Sequence, residues 1–91
     1  MQELPASVTA YKRTAEFDES SVPAGLLRSH STAARVWGRI CVLEGELLYR
    51  ELEPEPCETL LRPGQDGIVA PQQRHEVEPR GAVRFYVEFL R

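Results

Sequence analysis

Apolar positions come in short runs, and prolines, glycines and polar pairs separate the runs every few residues. The clearest run spans Ala82 to Leu90, where Val83, Phe85, Val87 and Phe89 alternate with Arg84, Tyr86 and Glu88. A period of two is the mark of a strand with one face on a core. Val8 to Tyr11, Leu26 to His30, Arg35 to Leu43, Glu46 to Leu52, Glu58 to Leu61, Ile68 to Ala70 and His75 to Glu78 also predict strands. Turn signals fall between them at Pro23-Ala24-Gly25, Pro54-Glu55-Pro56, Pro63-Gly64, Pro71 and Pro79-Arg80-Gly81. Glu44-Gly45 predicts a hairpin tip, with Glu46 to Leu52 as the returning strand. No stretch shows the repeat of an amphipathic helix. The expectation is an all-β, antiparallel fold of about eight short strands, a small barrel or sandwich.

Composition narrows this picture. Ninety-one residues predict a single domain over 1–91, with residues 1–7 as a loose N-terminus. With 42% hydrophobic and 27% charged residues, the chain reads as globular rather than disordered. The net charge of −3 argues against a nucleic-acid partner, whose phosphates call for a basic surface. Lys12 is the one lysine among 11 basic residues, and the rest are arginines, whose planar forks suit carboxylates and oxyanions. Cys41 lies in the apolar run Ile40 to Leu43 and is expected to be buried, whereas Cys57 sits among polar residues. That pair predicts neither a disulfide framework nor a zinc pair. No basic leader and no apolar run of membrane length is present, so a cytoplasmic protein with no membrane partner is expected.

The two histidines are the natural place for chemistry. His30 ends one predicted strand and His75 begins another, and separate strands can bring two such side chains to one mouth. Imidazole is a common ligand for Zn, Ni, Fe or Mn. A usable site wants a third protein ligand, and Glu88, set between Val87 and Phe89, is the first choice. Glu76 should point away from His75, its neighbour on the strand, and Glu44 belongs to the predicted turn. Arg28, two residues before His30, could hold an anionic ligand. Ser29 and Ser31 flank His30 without the strand-turn-helix elbow of a serine nucleophile.

Several segments resemble the TehB/YeaR-like cupin domain family, the family named for tellurite resistance. They are Pro23-Ala24-Gly25-Leu26-Leu27-Arg28-Ser29-His30, Trp37-Gly38, Leu43-Glu44-Gly45, Pro71-Gln72 to Pro79, and Arg84-Phe85-Tyr86-Val87-Glu88-Phe89. The resemblance runs from Val22 to Leu90. It implies a cupin-like β-barrel (a double-stranded β-helix, or jelly roll) with a divalent metal in its mouth, and it puts His30 and His75 at metal-ligand positions. Thr32 and Gly38 stand where general cupins carry a further His and a Glu. Some family members join this domain to a methyltransferase, and none is expected within these 91 residues.

The leading expectation is therefore a stand-alone cupin module that binds a divalent metal through His30, His75 and Glu88 and a small anionic ligand near Arg28. The resemblance links it to tellurite or oxyanion stress. A metal-dependent oxygenase or isomerase using the same His/His/Glu set is the enzyme alternative. A metal-free dimerisation domain is the structural one. Tyr86 and Leu90 make the last strand apolar on part of its second face, which predicts a homodimer.

Overall fold

The computed structural model describes residues 1–91. Six strands form one antiparallel sheet: β1 (Ala10–Arg13), β2 (Phe17–Asp18), β3 (Trp37–Glu51), β4 (Cys57–Leu61), β5 (Gly67–Val69) and β6 (His75–Leu90). A short 3-10 turn covers Ala24–Leu27. The fold is all-β and antiparallel, as the alternating pattern predicts. The sheet is open, however: its main path runs β1-β6-β3-β4, and the two ends do not pair.

β3 and β6 make a long central ribbon, paired from Trp37↔Leu90 to Glu51↔His75. Short strands line both edges. β4 pairs with the second half of β3 and β5 with its first half. β1 and β2 pair with β6 on the other side.

The strand count differs from the sequence expectation because two expected pairs merge, one expected strand does not form, and β2 (Phe17–Asp18), which no apolar alternation marks, is added. Glu44-Gly45 is no hairpin tip, because β3 runs through it with irregularities between Val42 and Glu44 and between Gly45 and Leu47. The inward-facing set then changes from Ile40 and Val42 to Leu47 and Tyr49, so the two halves of β3 look like separate strands in sequence. Pro79-Arg80-Gly81 is no turn either. β6 continues through it, and Gly81 at φ 78° provides a local left-handed residue. Leu26 to His30 forms no strand; its first half belongs to the 3-10 turn, and His30 makes a single bridge to His75.

The core is continuous. Ile40, Val42, Leu47, Tyr49, Leu61, Val69, Val77, Val83, Phe85 and Val87 form one buried cluster, with Phe17, Val22, Leu26 and Phe89 packed against it. Tyr49 spans the interior and donates a hydrogen bond from its hydroxyl to the Ile68 carbonyl at 3.0 Å. That bond ties the far half of β3 to β5. Burial pushes the Tyr49 phenol well above its ordinary value, so it stays a neutral donor. Cys41 is buried and Cys57 exposed, and both are free thiols. On the second face of the last strand Leu90 is buried and Tyr86 half-buried. No helix is long and apolar enough to cross a membrane.

Candidate functional site

The interior of the curved sheet holds a cavity of about 270 Å³. Ile40, Val69, Val77, Phe85 and Val87 make its apolar wall, and the Pro23–Leu26 segment covers part of it. His30 and His75 both line it. His30, Thr32 and Phe89 also border a shallow outer depression with Tyr11 and Lys12, so this side forms the mouth.

The backbone sets the histidine pair. His30 N–H donates to the His75 carbonyl at 2.7 Å, and His75 N–H donates back to the His30 carbonyl at 2.8 Å. Two bonds exchanged between facing residues hold their side chains on one face. The rings lie edge to face with centroids 5.4 Å apart. His75 is 4% exposed, and its Nδ1 lies 3.0 Å from the Gln73 carbonyl. A carbonyl only accepts, so Nδ1 carries a proton, and in the neutral ring Nε2 keeps the lone pair. The Gln73 amide is itself fixed, since it donates to Glu51 Oε2 at 2.8 Å.

Burial pulls the His75 imidazole below its ordinary value, and His30 adds to this; the Gln73 carbonyl and Glu51 oppose it. The unfolded chain protonates His75 near pH 6.5, about the ordinary histidine value, while the folded chain resists. The unfolded state then binds more protons, so stability is complete above about pH 6.5 and is lost as pH falls through the folded value. The expected outcome is a urea midpoint that declines from pH 7 to 5.5. His75→Phe should decline less over the same range, and equal slopes would contradict this account.

The sequence-predicted ligand set is only partly assembled. His30 and His75 meet, but Glu88 does not join them. β6 is one strand from 75 to 90, so odd positions face the cavity and Glu88 faces outward. There its carboxylate accepts from Arg39 Nε at 2.9 Å and from Arg13 at 3.1 Å. Arg39 above all, with Arg13, holds the Glu88 carboxyl below the usual range. It is 9% exposed because these cations cover it, and that satisfies the cost of burying a charge without any metal. Glu76 and Glu44 are likewise outside, on Arg50 and Arg84. Arg28 is exposed and does not line the cavity. No three His, Cys, Asp or Glu side chains lie close enough to share a metal ion. Two imidazoles are short of the three protein ligands a divalent ion wants, so these residues do not fit one.

The sequence reading missed the cavity wall and Gln73. Alternation along β6 carries the wall once the strand is read without a break. Nothing in the sequence marks Gln73, because its part is played by a backbone carbonyl.

An open antiparallel sheet around an apolar cavity, lined by His30 and His75, defines an all-β domain in class. The chain belongs to the TehB-like domain family, whose profile matches residues 12–87. A crystal structure of a protein from E. coli (strain K12) is similar, with a TM-score of 0.89 and 22% identity over 100% of this chain and 97% of that one. TehB from Haemophilus influenzae is similar over 93% of this chain, with a TM-score of 0.84 and 23% identity. This chain spans 32% of that TehB protein. No curated protein sequence matches the chain.

Proposed function

We propose that the chain is a small-molecule binding module whose ligand occupies the cavity between the 3-10 turn and the β3–β6 ribbon. The observation that carries this reading is the pairing of an apolar cavity of about 270 Å³ with two imidazoles in its lining, His30 toward the outer depression and His75 buried. Concave, mostly apolar sites with a few convergent polar groups are the usual form of small-ligand sites. The long ribbon with short strands on both edges supports reading the fold as cupin-like. Family membership supports a role beside TehB-type proteins in oxyanion stress. The metal-and-anion form of this function would need a third ligand and a nearby cation, and the oxygenase alternative would need Glu88 beside the histidines. The cavity reading needs neither.

The test is a titration of the full chain, labelled at its methyl groups, with phenol and with indole. Ile40, Val69, Val77 and Val87 methyl resonances are expected to shift together and saturate, while Leu60 and Leu27 stay in place. No shift at millimolar ligand, or shifts confined to exposed residues, would overturn the proposal.

A further inference from the structure

The polar groups around the cavity are Thr14, Thr32 and the two histidines, and neither ring nitrogen of His30 has a side-chain hydrogen bond in the protein, so His30 stays open to a ligand beside His75. Thr14 donates its hydroxyl to the Ala15 carbonyl at 2.8 Å and accepts the Val87 N–H at 3.0 Å. Thr32 accepts the Gln72 N–H at 3.1 Å and lies 3.4 Å from the Ala70 carbonyl. Both hydroxyls are therefore committed to the backbone. His75 commits Nδ1 to Gln73, and Nε2 has no partner in the protein while not being sealed from space. An unpartnered acceptor beside an apolar cavity is costly to leave unmatched when a ligand displaces the water that can reach it.

Charge points the same way. No Lys or Arg lines the cavity. The arginines nearest the ribbon are bound on its outer face: Arg13 and Arg39 to Glu88, Arg50 to Glu58, Glu76 and Glu78, and Arg84 to Glu16 and Glu44. An anion entering the cavity would lose its hydration and meet the lone pair of His75 in apolar surroundings. Size sets the last limit. A cavity of about 150 Å³ accepts benzene, so 270 Å³ takes a substituted ring or a fused pair of rings.

We infer that the ligand is a neutral molecule of one or two rings, or equal bulk, that donates one hydrogen bond to His75 Nε2. This rests on the cavity reading above. It sets aside an anionic ligand in favour of the phenol or N–H heteroaromatic class. His75 then acts as the group that selects the ligand, and the apolar wall supplies affinity with little preference among shapes of similar volume.

Calorimetric titrations of the full chain at pH 7.5 with phenol, anisole and benzoate test this. Anisole keeps the ring and loses the donor, and benzoate adds a charge. Phenol is expected to bind at least tenfold tighter than anisole, and benzoate should give no binding heat. In His75→Phe, phenol should fall to the affinity of anisole while anisole keeps its own. The wild-type ratio decides the matter even where that variant fails to fold. Equal affinities for phenol and anisole overturn the donor requirement and leave the cavity reading standing. Benzoate binding as tightly as phenol overturns neutrality. A phenol preference that survives in folded His75→Phe overturns the assignment to His75. Binding of none of the three overturns the cavity reading itself.

Discussion

Phe85→Ala is expected to cost about 3–5 kcal/mol of unfolding free energy. Phe85 has no solvent exposure and pairs across the sheet with Val42 on one side and Phe17 on the other. Its ring meets that of Phe17 edge to face at 5.7 Å. Truncation would remove the ring contacts and open space next to a cavity that is already there, so neighbours cannot collapse fully into the gap. A domain of this length has roughly 5–14 kcal/mol of stability, so one truncation would take a large share of it. Chemical denaturation measures this as a lower midpoint with an unchanged slope. Phe85→Leu, which keeps most of the volume, should cost under about 1.5 kcal/mol. If the two variants lose equal stability, the ring is not the packing element described here.

Gly45→Ala is expected to cost about 3 kcal/mol, the upper end for a residue held in a sparsely populated backbone region. Gly45 lies at φ 78°, where an L side chain is strained. A Cβ there would also meet the Ala82 carbonyl oxygen at 2.0 Å and Val83 Cα at 3.0 Å. These are backbone atoms of the facing strand, so no side-chain rotation relieves the contact. The ribbon would have to open between its two irregularities, where the inward face of β3 changes over. Gly81→Ala makes a useful contrast, since it shares φ 78° but has open space around a Cβ. Strain alone should make that variant the milder of the two. Thermal unfolding of both variants gives the comparison, and equal losses would mean that the close approach at Gly45 contributes nothing.

The same bend explains what the sequence reveals and what it conceals. Val83, Phe85 and Val87 alternate without a break, so the all-β class and the inward face of the last strand are legible from residue types alone. His30 and His75 are legible as a pair because they are the two histidines of the chain and each stands at the end of a predicted strand. Glu88 is not. A prediction that ends a strand at Pro79-Arg80-Gly81 restarts the alternation at Ala82 and loses its phase relative to His75. β6 in fact runs on, and the odd-even count from 75 to 88 then puts Glu88 on the opposite face. Glycine and proline carry a turn preference, and here they make an irregularity within β6 rather than an end: β3 pairs on both sides of it, at Pro79 and at Val83, and leaves 80–82 unpaired. Glu44-Gly45 misleads for the same reason. The arginine excess is visible in the composition, but its use is not: these side chains tie strand to strand on the outer face through Glu58, Glu76, Glu78 and Glu88.

The proposed site depends on a neutral His75, protonated at Nδ1, that presents a bare Nε2 to a ligand in the apolar cavity. Nitrogen NMR of the imidazole rings, recorded at pH 7.5 with and without saturating phenol, tests it most directly. The expected result is the Nδ1–H tautomer for His75 in the free protein, and on adding phenol a shift of Nε2 with Nδ1 nearly unmoved. An imidazolium, an Nε2–H tautomer, or an Nε2 resonance indifferent to bound phenol would contradict it.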